Sequence, residues 1–165
     1  MLTIRPAVIK DLPAITEIYN RAILNTVTTF DTEPKTLDEQ KAWFNAHGPG
    51  YPLLVALQDD VIVGWAALSM WSDRGAYSIT AEMALYVKED QQGRGIGRRL
   101  GVAIVQAGRE AGLHTVIARI AEGNRVSVHM GESLGFRHIG IMKEVGSISG
   151  RLLDVYLMQK IYDKE

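Results

Sequence analysis

Three glycines alternate with other residues in Gln92-Gly93-Arg94-Gly95-Ile96-Gly97, and Arg98 and Arg99 follow at once. Glycine accepts left-handed backbone and carries no side chain to block a close approach, so several N–H groups can converge on one point in such a run. Where a helix starts at the same place, its unpaired N–H groups and its dipole favour phosphate. Arg94, Arg98 and Arg99 add charge suited to phosphate oxygens. The same letters are also compatible with a plain flexible turn between a strand and a helix. Two other phosphate motifs fail on the residues. A P-loop closes with Gly-Lys-Ser/Thr, whereas Gly97 precedes Arg98-Arg99. The dinucleotide fingerprint needs glycine at 98 or 100, and Arg98 and Leu100 stand there. A second chemical feature is Glu82, a carboxylate on an otherwise apolar run; alternation is also compatible with a solvent-facing strand residue there.

The elements that must hold these residues follow from hydrophobic period and punctuation. Leu2 to Ala7 reads as a strand, and Asp11 is placed to cap a helix that has Pro13 in its first turn and ends near Asn25. Thr26 to Lys35 is a loop. Thr36-x-x-Glu39 is a capping box that opens a short helix through Trp43 and Phe44, ended by His47-Gly48-Pro49-Gly50. Tyr51 to Gln58 and Val61 to Ser69 are β-rich and separated only by Asp59-Asp60, the spacing of a hairpin. An irregular stretch, Trp71 to Ala76, leads to a strand from Tyr77 to Lys88, then to the glycine loop and a helix from about Arg98 to Ala111. A strand at His114 to Ile120, a helix from about Asn124 to Leu134 and strands at Phe136 to Val145 and Leu152 to Ile161 complete the chain, with Gly146 to Gly150 as the last turn. The order βααβββαβαββ mixes hairpins with crossover units and predicts an α+β fold with a mixed, mostly antiparallel central sheet flanked by helices.

A length of 165 residues with 47% apolar composition predicts a single domain, residues 1–165, able to fold around one core. A net charge of -1 provides no global field for nucleic acid or an anionic membrane, so neither is an expected partner. The absence of cysteine excludes disulfides, thiolate zinc sites and a cysteine nucleophile. The first residues lack the apolar core of a secretory signal and no run approaches a membrane span, so a cytoplasmic protein is expected.

Gln92-x-x-Gly95-x-Gly97, placed after a strand and before a helix, resembles the pyrophosphate loop of the GNAT acetyltransferase superfamily. The resemblance narrows to the phosphinothricin and methionine-sulfoximine acetyltransferase branch through Ile18-Tyr19-Asn20, Ala42-Trp43-Phe44, Gly50-Tyr51-Pro52, Glu82-x-x-x-Tyr86-Val87, Gly112-Leu113-His114, Leu134-Gly135-Phe136, Gly146 and Gly150-Arg151-x-Leu153-Asp154. These features span nearly the whole chain. The resemblance implies an acetyl-CoA-dependent N-acetyltransferase with the GNAT fold, no metal, a small-molecule amine as substrate and a homodimer, for which the apolar last strand offers a surface.

It also implies roles for particular residues. Leu85, Tyr86 and Val87 pair through their backbone with the pantetheine arm of the coenzyme, and Gln92, Gly93, Arg94, Gly95, Ile96, Gly97 and Arg98 hold its pyrophosphate. Asn124 and Ser133 are further coenzyme contacts, although Asn124 reads as readily as an ordinary N-cap. An ammonium ion has no lone pair, so a group must take its proton; Glu82 matches the branch's general base, working through water. The N–H of Leu85 is the expected donor to the thioester oxygen. Phe30, Trp71, Arg74, Gly75, Ala76 and Tyr77 are the expected substrate contacts.

Three departures from the branch stand out. Gly131 occupies the place where many relatives have a Tyr or His to protonate the leaving thiolate, and His129, two positions earlier, points elsewhere on a helix. Ser72 and Ser78 stand where relatives have arginines for the substrate carboxylate, leaving Arg74 as the nearest cation in sequence. Leu152 replaces a Trp. Other acceptors, a polyamine or a protein N-terminus, and a non-catalytic coenzyme sensor are the rival readings.

Overall fold

The computed structural model describes residues 1–163. Seven strands, β1 (Leu2–Pro6), β2 (Leu53–Gln58), β3 (Val61–Met70), β4 (Thr80–Val87), β5 (Thr115–Ala121), β6 (Arg137–Ile148) and β7 (Arg151–Ile161), form one sheet in the order β1-β2-β3-β4-β5-β7-β6. Four α-helices accompany it: α1 (Leu12–Asn25), α2 (Leu37–Asn45), α3 (Ile96–Glu110) and α4 (Arg125–Ser133). Every strand pair is antiparallel except β4–β5, which the crossover through α3 makes parallel. The element order and the mixed, mostly antiparallel sheet agree with the sequence reading.

Alternation along the central strands sends side chains to two cores. Leu54, Ala56, Ala66 and Leu68 join Ile96, Leu100 and Ile104 of α3 on one face. Leu53, Val55, Trp65 and Ala67 join Ile15 and Ile18 of α1, with Trp43 and Phe44 of α2, on the other. Helix α3 lies close to its neighbours because it lacks side chains where they meet it. A β-carbon at Gly101 would stand 2.8 Å from Leu134, and one at Gly108 would stand 2.6 Å from Leu68.

Several local expectations need correction. Asp11 precedes α1 without capping it; its carboxylate accepts from Val8 N–H at 2.8 Å and from Arg5 at 2.7 and 3.0 Å, closing a 3-10 turn instead. Helix α3 begins at Ile96 rather than Arg98, because Gly95, at φ 80°, is itself the cap. Residues 75–77 form a 3-10 turn, so Tyr77 lies before β4 rather than in it. The final hairpin turns at Ser149-Gly150, whose φ values of 51° and 77° suit a tight two-residue turn. Gly146 is inside β6, paired with Leu153. The last strand, β7, lies between β5 and β6, so the free edge on that side is β6. By contrast Asp59-Asp60 does join β2 to β3, with φ values of 49° and 68°, and Thr36 and Glu39 do form the capping box.

Candidate active site

Strands β4 and β5 run side by side for three register positions, Thr80 with Thr115, Ala81 with Val116 and Glu82 with Ile117, and then part. β4 continues to Val87 held by β3 alone, and β5 continues to Ala121 held by β7 alone. A fork therefore opens in the sheet just beyond Glu82. Met83 to Val87 are only half-buried in consequence, although they lie on a central strand.

The hydrogen-bond phase decides which backbone groups face the fork. Lys88 N–H donates to Val63 on the β3 side and Thr80 C=O accepts from Trp71 on that side. Ile79 C=O accepts from Thr115 N–H on the β5 side. Alternation then turns the N–H and C=O groups of Met83, Leu85 and Val87 into the gap. One of them is already engaged there: Gln92 Nε2 donates to Val87 C=O at 3.2 Å.

At the wide end of the fork stands the glycine loop. Gly93 and Gly95 have φ of 76° and 80°, and at neither would a β-carbon meet an atom within 4 Å, so the conformation and not crowding calls for glycine. The first backbone bond of α3 runs from Arg99 N–H to Gly95 C=O at 3.1 Å. Among the described residues the six N–H groups from Gly93 to Arg98 have no acceptor. Six donors without acceptors at a helix start, with Arg94 and Arg98 exposed beside them, suit phosphate in charge and hydrogen-bonding capacity.

Glu82 sits at the crotch of the fork, on the face of the sheet that α1 and α2 cover. Its carboxylate is held by a guanidinium that the sequence reading did not single out. Arg119, two residues beyond the last β4–β5 pairing, reaches back so that Nε and Nη2 donate to the two oxygens of Glu82, the latter at 2.7 Å. Glu82 keeps Arg119 protonated more firmly than usual, chiefly through this hydrogen bond. Trp71 stacks on the other component of the pair, its ring centroid 5.5 Å from the Arg119 guanidinium carbon. The sequence did carry a signal: Arg119 is the single charge within the apolar strand Thr115–Ala121, as Glu82 is within Thr80–Val87.

The expected substrate loops come to the same face. Thr29 Oγ bonds the Tyr19 hydroxyl at 2.9 Å, Tyr19 also donates to Asp31, and the Tyr19 ring lies edge-on to Tyr86 at 5.2 Å. Burial pushes the Tyr86 hydroxyl up to about 12, so it is a neutral phenol in the site. Phe30 is partly exposed against Gly146. Arg74, Gly75, Ala76 and Tyr77 lie exposed on the 3-10 turn; among the described residues the Arg74 and Tyr77 side chains have no hydrogen-bond partner. The cation beside Glu82 is thus Arg119 and not Arg74.

The remaining residues named from the sequence are on α4. Asn124 is its N-cap, with Oδ1 accepting from Ser127 N–H at 3.2 Å, and Ser133 Oγ donates to Met130 C=O at 2.7 Å. Gly131 is buried, and a β-carbon there would stand 2.9 Å from Met158 Sδ, so this position has no space for an acid. His129 is exposed. A cavity of about 480 Å³ lies elsewhere, lined by Pro6, Phe44, His47 and Ala111 at the opposite end of α3.

The chain as a whole is similar to known proteins. Residues 1–137 match the family described as Acetyltransferase (GNAT) domain. The chain belongs to the GNAT acetyltransferase family. This N-acetyltransferase is 38% identical over 159 residues to the L-methionine sulfoximine/L-methionine sulfone acetyltransferase of Pseudomonas paraeruginosa, covering 95% of this chain and 92% of that one. It is 38% identical over 157 residues to the phosphinothricin N-acetyltransferase of Streptomyces coelicolor, covering 92% and 91%. The structure of yncA from Salmonella typhimurium with its cofactor acetyl-CoA superposes with a TM-score of 0.96 at 36% identity, over 100% of this acetyltransferase and 96% of that chain. Among the described residues no helix is long and apolar enough to cross a membrane.

Proposed function

We propose that this acetyltransferase moves the acetyl group of acetyl-CoA to the amine of a small amino acid analogue of the phosphinothricin, methionine sulfoximine or methionine sulfone type, by direct attack in a ternary complex. The observation that carries the reading is the position of Glu82, a carboxylate at the crotch of the fork, three residues from a Leu85 N–H turned into the same gap. The names of the relatives support the substrate class.

Bound acetyl-CoA supplies an activated thioester. The N–H groups of Gly93 to Arg98 hold its diphosphate, and the inner edge of β4 from Met83 to Val87 pairs with its arm. Leu85 N–H then donates to the thioester oxygen as charge gathers there. Glu82 accepts the proton that the ammonium must lose, through water: a carboxylate has about four lone-pair sites and Arg119 occupies two of them. With Gly131 in place of an acid, the sulfur leaves as thiolate, which a thiol of pKa about 8.5 permits. Such an enzyme works where acetyl-CoA is held, in the cytoplasm. A homodimer would cover Ile139, Ile141 and Val145, which are at least half exposed on the edge strand β6.

Thiol release measured with acetyl-CoA and a panel of amines tests this. Turnover is expected with methionine sulfone, methionine sulfoximine or phosphinothricin, ahead of spermidine and of peptides with free N-termini. Tight coenzyme binding with no turnover across the panel would leave only the sensor.

A further inference from the structure

We infer that Arg119 is the receptor for the carboxylate of the acceptor, and so fixes the substrate class as α-amino acids rather than amines in general. The inference rests on the proposed function and names the residue that gives it specificity.

The argument begins with what the guanidinium has left. Arg119 presents five N–H donors in a planar fork. Nε and one N–H of Nη2 are taken by Glu82, while Nη1 has no partner among the described residues. The second edge, formed by Nη1 and Nη2, is therefore open, and it has the geometry that takes a carboxylate through two parallel bonds. The two bonds to Glu82 orient the guanidinium, and the Trp71 ring lies 5.5 Å from its carbon, so the open edge is oriented before a ligand arrives.

Placement supplies the second step. In an α-amino acid the nitrogen is two bonds from the carboxylate carbon. A carboxylate on the open edge brings its α-nitrogen beside the carboxylate on the other edge, which is Glu82. The ammonium then lies between two carboxylates, both tied to one cation, and next to the fork where Leu85 N–H points. Among the described residues no other basic side chain pairs with Glu82. A polyamine or a peptide N-terminus has no α-carboxylate for this edge and would meet a bare guanidinium instead.

The test compares methionine sulfone with its carboxamide on wild type, Arg119→Gln and Arg119→Lys. Wild type should favour the acid by about 10- to 100-fold in kcat/KM, the discrimination that a charge-assisted hydrogen bond provides. Arg119→Gln should bring the two within a few-fold by raising KM for the acid, and calorimetry on the enzyme–CoA complex should show the same weakening of methionine sulfone. Arg119→Lys, with charge but no fork, should recover part of the preference. An unchanged acid-to-amide ratio in Arg119→Gln, or equal losses for both compounds in kcat alone, makes Arg119 merely the holder of Glu82 and overturns the inference while the proposed function stands. A wild type that acetylates simple amines and ignores α-amino acids overturns both.

Discussion

The ring of Phe30 lies against the backbone of Gly146, where a β-carbon would stand 2.6 Å from Cδ2 and 2.9 Å from Cζ. The loop after α1 is thus seated on β6, and the missing side chain is what allows it. Gly146→Ala should displace Phe30 and with it the loop carrying Thr29 and Asp31. A displacement of about 1 Å near reacting groups can cost on the order of 100-fold, so KM for the amine should rise while coenzyme affinity holds. Phe30→Ala combined with Gly146→Ala should be less impaired than the sum of the two, because both act on one contact. Steady-state kinetics on the four proteins measures this, and strict additivity would mean the contact is idle.

Glu82→Gln keeps shape and hydrogen-bonding capacity but cannot take a proton. A fall in kcat of roughly 10²- to 10⁴-fold is expected, with coenzyme binding retained and stability changed by less than about 1 kcal/mol, as for an exposed ion pair. Calorimetry with CoA beside a thiol-release assay separates these effects. Activity near wild type would remove Glu82 from the mechanism.

Gly95→Ala tests the loop. The site has open space but φ of 80°, so a side chain costs about 1–2 kcal/mol of strain. Gly112, at φ 84° and equally open at the far end of α3, is the control. Both substitutions to Ala should lower the melting temperature similarly, and only Gly95→Ala should weaken CoA binding.

His47 sits between two partners, Trp43 C=O on Nδ1 and Ser69 Oγ on Nε2, each at 2.8 Å. Burial lowers its pKa below the usual 6.5, outweighing the bond to Trp43. The unfolded chain therefore binds this proton more readily than the folded one. Stability from this group is complete above pH 6.5 and falls as pH drops through that value towards the folded pKa, by at most about 1.4 kcal/mol per pH unit. Melting curves between neutral and mildly acid pH should show a shallower slope in His47→Gln.

Local signals were legible in the sequence wherever a residue type answers to one backbone requirement. Asp59-Asp60 marked a hairpin by length, Thr36 with Glu39 marked a helix start, and period with such punctuation placed all seven strands and four helices. Gly146 misled because a glycine inside a strand reads as a turn, whereas here it accommodates a ring from a residue 116 positions earlier, 146 less 30. Asp11 misled because Arg5, on the neighbouring strand, competes for its carboxylate. The fork was not legible, since it depends on how far two strands separated by a helix stay paired. Arg119 was missed for the same reason: only the register Glu82 with Ile117 brings it near that carboxylate.

Because β4 gives up its neighbour after Glu82, its inner rim offers main-chain groups whose chemistry is identical whatever residues the strand carries. Under the proposed function, donor recognition is thereby insulated from mutation, while acceptor choice is written in a few replaceable side chains on another strand and two loops. A lineage built this way can trade one amine for another without having to relearn how to grip its thioester.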